Sequence, residues 1–191
     1  MEVYVKMKNV KSVVAFIDLL GAKEIISKDP DGSLETIHNC YEYAKNQIKD
    51  IYPSELNIPH INIFSDNIVL SLPLYDKETD SSDKDIMNII SVIAYSAIIQ
   101  YYFWMNKLLV RGAISFGTFF SDELMVWGQG LVNSYGLESS IAIYPRIIID
   151  PKYGNDMYDF FGKMLLMLVS EDFDGLLFVD PLKRKYIEHI R

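Results

Sequence analysis

Short apolar runs alternate along this chain with longer segments of helical period. Residues 13–20 are apolar, β-branched and aromatic except for Asp18, and the run stops at Gly21. That pattern predicts a buried central strand. Ser33 is placed to cap a helix running to about Ile51, whose apolar positions Ile37, Tyr41, Ala44, Ile48 and Ile51 are spaced by four and three. Pro53 and Pro59 bracket a loop. Residues 61–72 are two apolar runs broken at Ser65-Asp66-Asn67, three turn formers, and predict a hairpin ended by Pro73. The polar stretch 76–85 reads as a solvated loop. A helix from about Asp83 to Lys107 is apolar nearly all round, so a sheet on one side and further cover, such as a partner chain, on the other are expected.

Residues 108–118 predict a strand carrying Arg111 and Gly112, and 123–127 pair back on it across Ser121-Asp122. Residues 128–143 read as helix, 146–149 as a short strand stopped by Asp150-Pro151, and 176–179 as a strand before a charged end. The Met-rich run 163–169 reads as core or a partner contact. The order β-α-β-β-α-β predicts an α+β fold with a ferredoxin-like split βαβ core. An antiparallel or mixed sheet with helices on one face is expected.

At 191 residues, half of them hydrophobic, one domain is expected, with its core at about 11–150 and an extension at 151–191. The net charge of −8 and the scatter of Lys and Arg argue against nucleic acid and anionic lipid as partners. Cys40 is the only cysteine, which excludes an internal disulfide and suggests a reducing, cytoplasmic setting. Beside an apolar helical stripe, Cys40 reads as a small buried hydrophobe. No signal-peptide pattern opens the chain, and no charge-free run of about 18 apolar residues predicts a membrane span. His38, His60 and His189 lack zinc-ligand spacing. Hydrolase, P-loop and dinucleotide-fold motifs are absent.

The informative chemistry is a pair of acids. Asp18 ends one apolar strand and Asp66 sits in the turn of the next hairpin. Alone, the first reads as a strand-end cap or salt-bridge partner and the second as a turn residue. In a split βαβ core they lie side by side, and two adjacent carboxylates do not both ionise without a cation. Mg²⁺ or Mn²⁺, held by two carboxylates, a carbonyl and substrate phosphates, resolves the conflict.

Residues Phe16-Ile17-Asp18-Leu19-Leu20-Gly21 resemble the first metal motif of class III nucleotidyl cyclases, and Phe64-Ser65-Asp66 the second. The stretch from Val110-Arg111-Gly112 to Gly117 is similar to the family's fourth-strand pattern. Val126-Trp127-Gly128, Leu131-Val132-Asn133 and Leu137-Glu138-Ser139 are similar to its dimer-arm helix. The likeness spans roughly residues 11–150. Ile17-Asp18-Leu19-Leu20-Gly21, Phe64-Ser65-Asp66, Tyr135-Gly136-Leu137-Glu138-Ser139 and Tyr144-Pro145-Arg146-Ile147 resemble the pyrimidine cyclases of bacterial Pycsar antiphage defence in particular. The resemblance implies conversion of UTP or CTP to a 3′,5′-cyclic monophosphate and pyrophosphate, a two-metal Mg²⁺ or Mn²⁺ site, and a homodimer with active sites at its interface. It also implies a separate effector for the cyclic product. By resemblance the metals fall to Asp18, the Leu19 carbonyl and Asp66. The nucleotide falls to Leu20, Gly21, Lys23, Asn62 and Ser65.

Departures from the family pattern are specific. Asn62 stands where purine cyclases carry Lys, and Met125 where they carry a polar base reader. Counting four residues from Asn133, the family's transition-state Arg falls on Leu137; counting on Leu137-Glu138, it falls on Gly136. Arg111 and Arg146 are the expected substitutes, with Asn133 a third catalytic candidate; each also has a structural reading. The alternatives are a cyclase-fold module without turnover, a purine-specific cyclase, and a palm-type or diguanylate cyclase relative. The absence of a Gly-Gly-Asp/Glu-Glu-Phe signature weighs against the last.

Overall fold

The computed structural model describes residues 8–51, 57–75, 82–154 and 168–183. Strand β1 (Val10–Leu19) lies at the centre, antiparallel to β3 (Asn67–Pro73) on one side and to β4 (Val110–Ser121) on the other. Strand β2 (His60–Phe64) pairs with β3 as the predicted hairpin. β5 (Val126–Trp127) folds back on the end of β4, and β6 (Ile147–Ile149) runs parallel to β4. β8 (Leu177–Val179) and β7 (Val169–Glu171) complete the order β2-β3-β1-β4-β6-β8-β7. The sheet is thus mostly antiparallel and the fold α+β. The short strand β7 was not predicted, because it begins at the end of the Met-rich run. Residues 163–167 of that run lie outside the described residues, and Leu168 is buried.

Alternation along β1 explains the layers. Val13, Ala15 and Ile17 face helices α2 (Pro30–Ile51) and α3 (Ser82–Met105) in the main core. Val14 and Phe16 face the other way and pack with Val69 and Phe119 near Leu131 of α4 (Gln129–Ser140). Helices on one face were expected; here both faces are covered. The physical reason is that β1 is apolar on both sides, so the second face also needs a roof.

Helix α2 starts at Pro30, ahead of the expected Ser33 cap. Asp29 caps it instead, its Oδ1 accepting from the Gly32 amide at 3.0 Å, while the Ser33 hydroxyl donates to the Pro30 carbonyl. α3 is apolar nearly all round because the sheet and α2 enclose it. By length and composition Lys84–Met105 could cross a membrane, yet most of it is buried in this core. Its buried Ser91 and Ser96 donate to carbonyls four residues back, so no hydroxyl is stranded. Cys40 is buried on α2 beside α3.

Helix α4 lies close on β4 because two glycines face each other. A Cβ built at Gly117 would stand 2.5 Å from the Gly130 amide nitrogen and 2.8 Å from its Cα. Gly136, one and a half turns further along α4, meets nothing within 4 Å. Gly117→Ala is therefore expected to cost ~1–3 kcal/mol in urea denaturation. Gly136→Ala is expected to be neutral or to stabilise by ~0.5–1 kcal/mol, since it only removes helix-interior glycine. Equal effects at the two sites would contradict this packing.

Candidate active site

The end of β1 is clamped on both sides. The Leu19 amide donates to the Asp66 carbonyl at 3.1 Å and the Leu20 amide to the Leu109 carbonyl at 2.8 Å. Asp18 stands in register with Asn67 on β3 and Arg111 on β4, on the α4 face that Val14 and Phe16 also share. The β2–β3 turn carries Ser65 at φ 56° and then Asp66, whose Oδ1 accepts from the Asn67 side-chain Nδ2 at 3.1 Å. The two acids predicted to converge therefore end neighbouring strands of one sheet. The charge on Asp66 is felt at Asp18.

The local charge balance asks for a cation. Burial pushes the Asp18 carboxyl above its ordinary value, and the Asp66 charge pushes it further; Arg111 opposes both. Arg111 Nε lies 3.6 Å from Asp18 Oδ2 and also forms an ion pair with Glu138 of α4, whose side chain is 3% exposed. Burial, more than any neighbour, raises the Glu138 carboxyl as well. Asp18 and Glu138 thus share one guanidinium, with the Asp66 charge also felt at Asp18. Among the described residues no cluster of three or more His, Cys, Asp or Glu side chains forms a ready metal cage. Two carboxylate donors with places left for carbonyl, water and phosphate oxygens suit Mg²⁺ or Mn²⁺, which seldom takes an all-protein shell.

The other sequence candidates are distributed around this centre. Gly21, at φ 76°, makes the left-handed turn from β1 into the short helix α1 (Ala22–Lys28). Lys23 is exposed on the first turn of α1, Leu20 is half-buried and Ser65 exposed. On β2, Asn62 Oδ1 accepts from the Ser121 hydroxyl at 2.8 Å, which joins β2 to the β4–β5 hairpin near Met125. The Asn133 amide donates to the Phe116 carbonyl at 3.1 Å and its Oδ1 accepts from Gln129, so this side chain fastens α4 to β4.

The structure does not bring Arg146 to Asp18. Its buried guanidinium forms ion pairs with both Asp172 and Asp174, and these tie the start of β6 to the β7–β8 turn. Arg111 is held between Asp18 and Glu138. Sequence reasoning quoted Glu138 only as part of a motif and assigned it no role. Its signal was helical spacing: Gly130, Ser134 and Glu138 fall at intervals of four and are the buried face of α4.

Comparison with solved structures places this architecture. The adenylyl cyclase CyaB from P. aeruginosa matches with a TM-score of 0.58 and 16% identity over 94% of this chain and 98% of that one. The monomeric guanylyl cyclase domain of the RhoGC fusion protein from Blastocladiella emersonii matches with a TM-score of 0.58 and 14% identity, over 91% and 96% of the two chains. The guanylate cyclase domain of RhGC from Catenaria anguillulae, in complex with GTP, gives 0.52 and 13%, over 91% and 98%. No protein-family model and no curated protein matches the chain. The fold is that of class III nucleotidyl cyclase catalytic domains.

Two outcomes are expected. Because the folded Asp18 carboxyl is raised, its charged form burdens the native state as pH climbs above the ordinary carboxylate range. Mn²⁺ added at about pH 8 should therefore raise the melting temperature of the wild type, and much less that of Asp18→Asn or Asp66→Asn. Asp174 has the opposite sign: Arg146 holds its carboxyl below the ordinary 3.8. That contribution is present above 3.8 and lost as pH falls through the lower, folded value, so wild type should lose more stability than Asp174→Asn on acidification below about pH 4. Parallel acid-denaturation curves would contradict the Arg146–Asp174 tie.

Proposed function

We propose that this protein is a metal-dependent nucleotidyl cyclase that converts UTP or CTP to the 3′,5′-cyclic monophosphate. The observation that carries the reading is the Asp18–Asp66 pair at the end of the central strands of a cyclase fold. Bound Mg²⁺ or Mn²⁺ would activate the ribose 3′-hydroxyl and offset charge on the departing pyrophosphate. The chain's own part is to hold and orient. Asp18, Asp66 and the Leu19 carbonyl supply the oxygen ligands. Arg111, fixed by Glu138, keeps the Asp18 carboxylate in place against the repulsion of its neighbour. Leu20, Gly21 and Lys23 border the triphosphate, and Ser65 flanks it from the hairpin turn.

Base choice follows from the β2 and β4–β5 side. Asn62, steadied by Ser121, offers an amide where a purine cyclase offers an ammonium, and Met125 offers no polar atom to a purine edge. Both favour the smaller pyrimidine ring. The active form is a homodimer. Leu124, Trp127, Val132 and Tyr135 project from the β4–β5 hairpin and α4 with more than half of their surface exposed, an apolar surface suited to a second copy. The cyclic product serves as a second messenger for a separate effector in antiphage signalling.

A second reading, nucleotide binding without turnover, draws on the engagement of both Arg111 and Arg146 by carboxylates. Incubation with each of the four nucleoside triphosphates and Mn²⁺ separates the two. Cyclic UMP or CMP is expected, with a preference of about 10-fold or more over purines. Asp18→Asn should lower the rate ~100-fold or more. Metal-dependent nucleotide binding with no cyclic product from any of the four would favour the second reading. A purine product would overturn the pyrimidine assignment alone.

A further inference from the structure

Between α2, α3 and strand β2 lies a cavity of about 390 Å³. Its walls are largely apolar, with Ala44 from α2, Ile99 from α3, and Ile61 and Ile63 from β2. Side chains alternate along a strand, so Ile61 and Ile63 share this face while Asn62 between them turns the other way, to Ser121. The cavity therefore lies on the α2–α3 side of the sheet, across it from Asp18, which shares the α4 face with Val14 and Phe16. At the rim Ile58 and Ile63 stay 58% and 46% exposed. Glu42 and His60 stand there too, both exposed, and no lysine or arginine is among the described lining residues. Nothing in this lining attracts a phosphate.

Two tyrosines bring polar atoms to the apolar wall. Tyr95 is 1% exposed, and its hydroxyl makes no hydrogen bond among the described residues. Burial alone pushes that hydroxyl up to about 12, with no partner to offset it. The Tyr41 ring packs edge-on against Phe103, and its hydroxyl likewise has no hydrogen-bond partner among the described residues; burial above all keeps it protonated. Elsewhere in this core the buried hydroxyls of Ser91 and Ser96 do find acceptors. A hydroxyl withdrawn from water without an acceptor destabilises the fold. One water, about 30 Å³ in the liquid, satisfies a single donor and leaves most of this space apolar and unfilled.

We infer that this cavity binds a small, uncharged aromatic molecule bearing one acceptor oxygen, such as an aryl ketone. Its ring fills the space against Ala44, Ile61, Ile63 and Ile99, and its oxygen accepts from the Tyr95 and Tyr41 hydroxyls. A carbonyl oxygen has two lone pairs and can take both donors. A charged molecule would lose its hydration against apolar walls that offer no counter-charge. A preformed apolar space with a few convergent polar atoms is the usual form of a small-molecule site. The inference does not rest on the cyclase reading, since the cavity and the Asp18 carboxylate occupy opposite faces of the sheet.

Two probes of one shape test this by NMR titration of the full chain: acetophenone, and α-methylstyrene, in which a methylene replaces the carbonyl oxygen. Acetophenone should shift the signals of Ala44, Ile61, Tyr95 and Ile99 saturably, with a Kd on the order of 1 mM. α-Methylstyrene should bind about fivefold or more weakly to the wild type. In the Tyr41→Phe, Tyr95→Phe double variant the two probes should bind alike, because only acetophenone loses partners. Tyr95→Phe alone, without probe, should unfold in urea no earlier than the wild type, since the hydroxyl it removes has no partner to lose. Absence of saturable shifts at those residues, or equal affinity of the wild type for both probes, would overturn the site. So would a Tyr95→Phe protein that still prefers acetophenone as strongly as the wild type and is clearly less stable, which would give the hydroxyl a structural partner instead.

Discussion

Two carboxylates at the end of a central strand and the neighbouring turn repel, and the rest of the molecule is arranged around that repulsion. The register of β1 between β3 and β4 admits no slack, because a shift of one residue would turn Asp18 into the core and a core side chain out. The clamp from Leu19 to Asp66 and from Leu20 to Leu109 fixes the end of β1 against the turn that carries Asp66 and against the segment before β4. Arg111 offsets part of the repulsion, and Glu138 fixes Arg111 from above. The net deficit of positive charge is what makes the place suited to a divalent ion.

α4 connects this centre to the rest of the surface. It lies close on β4 through Gly117 and Gly130, sends Glu138 down to Arg111, and uses Asn133 to grip the Phe116 carbonyl. Its outward residues, Val132 and Tyr135, remain in water. One helix thus roofs the second face of the sheet, steadies the acidic centre and presents an apolar surface. That combination explains why its buried stripe is small and polar, with Gly130, Ser134 and Glu138, rather than the broad apolar face of a core helix.

Much of the fold was legible because local pattern and tertiary role agree. The hairpin at Ser65-Asp66, the central strand through Val13 and Ile17, and the buried helix α3 all follow from composition that tertiary contacts reinforce. What sequence missed was set by long-range partners. The cap at Asp29, the roof over Val14 and Phe16, and strand β7 all depend on residues that pattern alone does not bring together. The adjacency of the strand end carrying Asp18 and the turn carrying Asp66 was readable, since neighbouring strands and a turn suffice to place them. The fates of Arg111 and Arg146 were not, because their partners Glu138, Asp172 and Asp174 are remote in sequence or lie in a turn with no motif of its own.

The central claim is that Asp18 and Asp66 grip one divalent cation together. A crystal structure of the full chain grown with Mn²⁺ and a non-cyclisable UTP analogue, with anomalous scattering from manganese, tests it most directly. The account predicts an anomalous peak at about 2.0–2.3 Å from an oxygen of each carboxylate, as Mg²⁺-like coordination requires. Nucleotide bound with no manganese between those two side chains, or manganese held elsewhere in the molecule, would contradict it.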